Sequence, residues 1–189
     1  MTAFALESTI APPSTFLAAA ELRVFWETTA SLVLWPLLQR APKGDGHAVL
    51  VLPGLVASDS STALLRQYLC KQGYDARGWG LGQNLGLRAG LEADLVRTLS
   101  DLSESSGGPV SVVGWSLGGV YARLLAAQHP ELIRSVVTLG SPFTGTPKAT
   151  RAWKLYETVS GQSSDDPVRA AMVRETPTSP TTSIYSRSD

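Results

Sequence analysis

Pro109-Val110-Ser111-Val112-Val113-Gly114-Trp115-Ser116-Leu117-Gly118-Gly119 is the stretch that decides how this chain folds. Its apolar, β-branched first half predicts a buried strand that stops at Gly114, and a helix is predicted from Leu117 onward. Between them the chain has to turn sharply through Ser116, which pushes the hydroxyl out of the bend to where a base can reach it. Glycine at 114 and 118 fits that corner, because a Cβ at either place would collide with the flanking strand or helix. The bare G-x-S-x-G pattern also occurs in ordinary glycine-rich turns. A strand before it and a helix after it make the nucleophile elbow the favoured reading.

Outward from the elbow, apolar runs alternate with helical segments from His47 onward, which predicts a mostly parallel sheet with flanking helices, an α/β fold. Ala48 to Leu52 reads as a strand buried on both faces. Asp59 or Ser60 is expected to cap a helix through Leu64, Leu65, Tyr68 and Leu69, closed by Gly73. Tyr74 to Trp79 is a second strand, followed by a glycine-rich loop from Gly80 to Gly86. A helix from about Leu87 to Leu102 keeps Leu91, Leu95, Leu99 and Leu102 on one stripe. After the elbow helix, Leu117 to Gln128, strands are expected at Ser135 to Leu139 and Ser183 to Ser186. Residues from about 143 to 181 form an insertion of mixed character, read as a cap over the serine or, alternatively, as a plain surface excursion. The domain reading is a helical segment over 1–46 and a core over 47–189.

Composition narrows the function classes. A chain of 189 residues supports one domain with a sizeable core. Its 16 basic and 16 acidic residues cancel, so no net field points to nucleic acid or an anionic surface. One cysteine, Cys70, excludes an internal disulfide, and with two histidines a structural zinc site is not expected. Met1 to Pro13 lacks Lys and Arg, so the basic start of a secretory signal is missing and a cytoplasmic location is expected. Phe16 to Leu38 is apolar but interrupted by Glu21, Arg23 and Glu27, which disfavours a transmembrane span. It reads as an amphipathic helix on the core, ended by Pro36 or Pro42. A membrane-surface anchor is the alternative, though the polar side lacks the expected cations.

A serine hydroxyl becomes nucleophilic when a base takes its proton and donors hold the oxyanion that forms. The backbone N–H of Leu117 begins a helix and has no partner within it. A second donor is expected from Pro53-Gly54-Leu55 after the first strand, with the Leu55 N–H as candidate; a simple strand-ending turn is the alternative.

Leu-Pro-Gly-Leu at 52–55, Gly-Trp-Ser-Leu-Gly-Gly at 114–119 and Leu-Gly-Ser-Pro-Phe-Thr-Gly-Thr at 139–146 resemble bacterial lipases and esterases of the α/β-hydrolase superfamily. The tail from Thr182 to Asp189 resembles the strand and turn that present the acid of the catalytic triad, which places Asp189 on that position. The resemblance implies a Ser–His–Asp hydrolase of small-molecule carboxylic esters, without metal or organic cofactor. Chain order in that superfamily is serine, acid, histidine, and this sequence stops at the acid. His47 precedes the first strand, opposite the elbow. His129 stands at the far end of the elbow helix, roughly 20 Å from Ser116 at 1.5 Å per residue. The expectation is therefore the N-terminal part of a longer hydrolase, truncated at its C-terminus, with low activity and an exposed edge at Ser183 to Ser186. Apolar cap residues Trp153, Leu155, Tyr156 and Met172 favour a hydrophobic acyl chain. A non-catalytic pseudo-hydrolase or binding fragment, and an acyltransferase, are the rival readings.

Overall fold

The computed structural model describes residues 35–38, 40–141 and 177–185, in two compact units, Met1–Pro42 and Lys43–Asp189. In the smaller unit, helix α1 (Trp35–Leu38) carries Pro36 in its first turn, where a missing N–H costs no hydrogen bond. The Arg40 and Ala41 N–H groups bond back to the Leu37 and Leu38 carbonyls at 3.0 and 3.2 Å. The rest of the expected N-terminal helix, and the cap apart from its last residues, lie outside the described residues.

The larger unit is built on five parallel strands, β1 (Ala48–Leu52), β2 (Asp75–Gly78), β3 (Val110–Trp115), β4 (Ile133–Leu139) and β5 (Thr181–Ile184), in the order β2-β1-β3-β4-β5. Helices α2 (Ala63–Lys71), α3 (Leu91–Ser106) and α4 (Leu117–Gln128) connect them, with a 3₁₀ turn at Pro130–Leu132. The period of two along β1 explains why its sequence is apolar throughout. Ala48, Leu50 and Leu52 join Val110, Val112 and the Leu91-Leu95-Leu99-Leu102 stripe of α3, with Tyr121 and Leu125 of α4. Val49 and Val51 face the other way, with Val113, Leu65 and Leu69 of α2 and Tyr74. Each fully buried Leu or Val adds about 1.5–3 kcal/mol of transfer free energy, so the two faces together favour the doubly covered sheet. From β1 the chain moves outward to β2, then returns to the other side of β1 for β3. Strand order reverses between β1 and β3, and the C-terminal ends of such neighbours border the crevice where open α/β sheets bind ligands.

Several local boundaries differ from the sequence expectation. β3 continues through Gly114 to Trp115, because glycine keeps its ladder groups: Gly114 pairs with Thr138 and Trp115 with Leu139. Thr62, and neither Asp59 nor Ser60, is the N-cap residue of α2. The Asp59 carboxylate instead accepts the Trp79 and Gly80 N–H groups, each at 3.0 Å, tying the segment after β1 to the end of β2. α3 starts at Leu91, after Gly90 in the left-handed region, and runs on to Ser106. The last strand lies at Thr181–Ile184, earlier than expected, and the Val136 N–H bonds the Pro180 carbonyl at 2.9 Å to set that register. β4 holds one extra residue, Arg134, between the pairs Val110↔Ile133 and Ser111↔Ser135.

Candidate active site

Ser116 lies between the last residue of β3 and the first of α4, with φ 51° and ψ −118°. Its N–H bonds the Leu139 carbonyl of β4 at 2.9 Å, and its carbonyl accepts the Gly119 N–H at 3.0 Å. The corner is thus fixed by neighbours on both sides. A positive φ on a non-glycine residue costs about 1–3 kcal/mol and persists where surrounding structure enforces it. Ser116 is half-buried, and among the described residues its hydroxyl has no hydrogen-bond partner. A Cβ on Gly114 would strike the Gly118 backbone, and one on Gly118 would strike the carbonyls of Leu52 and Pro53. The first turn of α4 therefore rests directly on the end of β1.

That contact brings the segment after β1 beside the serine. A Cβ on Gly54 would sit 3.3 Å from Trp115 Cε3 and 3.4 Å from Ser116 Cβ. Leu55 follows, then Val56 with φ 53°, the other non-glycine residue at positive φ among those described. Neither the Leu55 nor the Leu117 N–H has a hydrogen-bond partner among the described residues. The Leu117 amide also carries the partial positive charge of a helix N-terminus. Trp115 is 45 % exposed beside the serine, and Val56 and Leu85 are exposed apolar residues of the two neighbouring loops.

Sequence reasoning missed Asn84, which is fully buried in the loop after β2. Its Nδ2 donates to the Pro53 carbonyl at 2.9 Å, its N–H to the Ala57 carbonyl at 2.8 Å, and its carbonyl accepts the Val56 N–H at 2.7 Å. Gln83 Nε2 donates to the Val56 carbonyl at 2.8 Å. Two adjacent amides, Gln83 and Asn84, amid glycines and leucines in Gly80 to Gly86 were the available signal, since polar residues in such a setting usually serve main-chain groups.

Neither histidine of the sequence shares the site with Ser116. His129 follows α4 and sits 3.6 Å from the Glu131 carboxylate. His47 lies before β1 and joins a chain of side chains: the Asp45 carboxylate on Nδ1, Ser111 Oγ 2.9 Å from Nε2, and Ser135 Oγ 2.9 Å from Ser111 Oγ. Arg134 donates to the same carboxylate at 2.7 Å. The hydrogen bond from His47, then that from Arg134, hold the Asp45 carboxyl well below the usual carboxylate range. The connectivity is Asp–His–Ser, yet Ser111 is 7 % exposed, inside the ladder between Val49 and Ser135, away from any helix N-terminus. It fastens strand beginnings together. Asp189 and the apolar cap residues Trp153, Leu155, Tyr156 and Met172 lie outside the described residues. Among the described residues no cluster of His, Cys, Asp and Glu is placed to hold a metal ion, and no helix is long and apolar enough to cross a membrane.

A family model described as alpha/beta hydrolase fold matches residues 47–161. The chain is 28% identical over 131 residues to serine hydrolase BPHL of Mus musculus, covering 65% of this chain and 45% of the mouse protein. It thus spans just under half the length of that relative. Among solved structures, one of the metagenome-derived lipolytic enzymes LipS and LipT has a TM-score of 0.46 at 23% identity, covering 55% of this chain and 45% of that one. MGS-MChE2, an alpha/beta hydrolase from the metagenome of sediments of the lagoon of Mar Chica, Morocco, also has a TM-score of 0.46, at 24% identity, covering 76% of this chain and 69% of that one.

Proposed function

Because the chain belongs to the α/β-hydrolase fold family, we propose that it carries the nucleophile and oxyanion donors of a serine hydrolase acting on carboxylic esters, of the bacterial lipase and esterase kind. The observation that carries this reading is Ser116: a strained, half-exposed corner residue whose hydroxyl has no partner among the described residues. In the proposed reaction Ser116 Oγ attacks the ester carbonyl carbon while its proton passes to a base. The carbonyl oxygen becomes an oxyanion beside the Leu55 and Leu117 N–H groups. The C–O bond to the alcohol breaks as the alcohol takes that proton, leaving acyl-Ser116. Water then repeats the sequence, releasing the acid and restoring the serine. Exposed Trp115, Val56 and Leu85 support an apolar acyl group, with the cap over 143–181 proposed to complete its pocket.

The base is proposed to be a histidine from sequence outside these 189 residues, oriented by Asp189. His47 and His129 are each engaged with a carboxylate away from Ser116. The 189 residues alone should then turn over esters slowly, since triad members act as a unit. That same placement of the histidines favours a second reading, a pseudo-hydrolase that binds esters without cleaving them.

An alkyl fluorophosphonate probe on the protein from its complete reading frame separates the two. Covalent labelling that disappears in Ser116→Ala is the expected result. Absence of labelling in the complete protein would favour the pseudo-hydrolase instead.

A further inference from the structure

We infer that Asn84 is a positioning residue for the oxyanion site, holding the Leu55 N–H beside Ser116; this rests on the serine-hydrolase reading above. Asn84 is 0 % exposed, in a loop whose Gly82, Gln83 and Leu85 are exposed. Burying an amide is unfavourable unless its donors and acceptors are met, so the partners reveal what the burial serves. The side-chain Nδ2 reaches the Pro53 carbonyl, and the main-chain carbonyl and N–H of the same residue reach the Val56 N–H and the Ala57 carbonyl, all in one short segment. They bracket Leu55 on both sides and leave its own N–H unbonded among the described residues.

The segment so held is strained. Val56 is β-branched and adopts φ 53°, a region such residues avoid. Its N–H is held by the Asn84 carbonyl and its own carbonyl by Gln83, so two adjacent residues fix both peptide groups of the outlier. Strain enforced from outside points to function in the segment that carries it, and Leu55, with its N–H unbonded among the described residues, is the residue next to the outlier. A fourth contact extends the arrangement to the other donor. Asn84 Oδ1 accepts the Tyr121 hydroxyl at 3.4 Å as well as the Gly86 N–H at 3.2 Å. Tyr121 belongs to α4, whose first residue supplies the Leu117 N–H. One buried side chain thereby references both oxyanion donors to a common point.

The test uses Asn84→Asp, which keeps the volume and replaces the donor facing Pro53 with an acceptor, and Gln83→Ala, an exposed truncation that leaves the fold intact. Both are made in the protein from its complete reading frame. In N84D, amide hydrogen exchange at Val56 and Ala57 is expected to rise at least about 10-fold while β1 and β3 amides stay unchanged. The inactivation rate constant for an alkyl fluorophosphonate at Ser116 should fall about 10- to 100-fold, with the probe's dissociation constant unchanged. Q83A should show the same pattern, reduced to roughly 2- to 5-fold. S111A, equally a loss of a polar tie, should label at the wild-type rate. Unchanged exchange in N84D, or raised exchange with undiminished inactivation, overturns the role of Asn84 alone. A wild-type protein that never labels at Ser116 overturns the hydrolase reading and this role with it.

Discussion

Ser111 occupies the second position of β3, and Ser116 stands just beyond its last residue, at opposite ends of the same strand. Ser111 has an imidazole at 2.9 Å and a carboxylate behind that imidazole, and it is locked in a ladder. Ser116 has a strained corner, a helix N-terminus and a close-passing neighbouring loop, with neither histidine near it. The difference teaches that a hydrogen-bonded Asp–His–Ser sequence is not a catalytic arrangement by itself. Space for a tetrahedral centre and preset donors for its oxygen belong here to the C-terminal ends of β1 and β3, where the loop after one strand and the helix start after the other leave the Leu55 and Leu117 amides without partners among the described residues.

Removing each serine in turn gives the largest contrast. In the protein from its complete reading frame, S116A should abolish phosphonate labelling and ester turnover, a drop of about 10⁴-fold or more, while S111A stays within about 2-fold. Comparable losses in the two variants, measured by labelling kinetics, would break the comparison. Next in size is Gly118→Ala, which sets a methyl against the carbonyls leaving β1; chemical denaturation should show about 1–3 kcal/mol of destabilisation with labelling impaired. S111A itself should cost about 1 kcal/mol in the same assay, as a buried hydroxyl contact to His47 and Ser135 is lost. The pH response is the subtlest. The folded carboxyl of Asp45 titrates below its unfolded value of about 3.9, so its stabilisation is fully present above that pH and is lost as pH falls through the folded pKa. Melting temperatures of wild type and Asp45→Asn should therefore converge in acid, and a constant gap from pH 7 to pH 2 would refute the coupling to His47.

Much of this arrangement could be read from residue order. The elbow is legible because its strand, corner and helix are contiguous, and the α3 leucine stripe because its period is local. Asn84 was not, since its partner Pro53 is 31 positions away and is a main-chain carbonyl, which no residue type announces. Asp59 looked like a helix cap for the same reason: its acceptor chemistry was clear and its donors, at Trp79 and Gly80, were not. The His47 to Ser111 contact spans 64 positions and depends on strand register. Asp189 lies outside the described residues, so its assignment rests on resemblance.

The supernumerary residue at Arg134 has a consequence for how this chain can vary. It steps β4 forward by one, after which Val136 faces the α3 and α4 side of the sheet, Val137 and Leu139 face the α2 side, and Arg134 reaches out to Asp45. Deleting one codon there would rotate every later side chain of the strand to the opposite surface, turning a small edit into an inverted β layer. Natural length changes should accumulate in the bends around Gly107 and be purged here, so a gap-free column at 134 across homologues is the evolutionary trace this kink should leave.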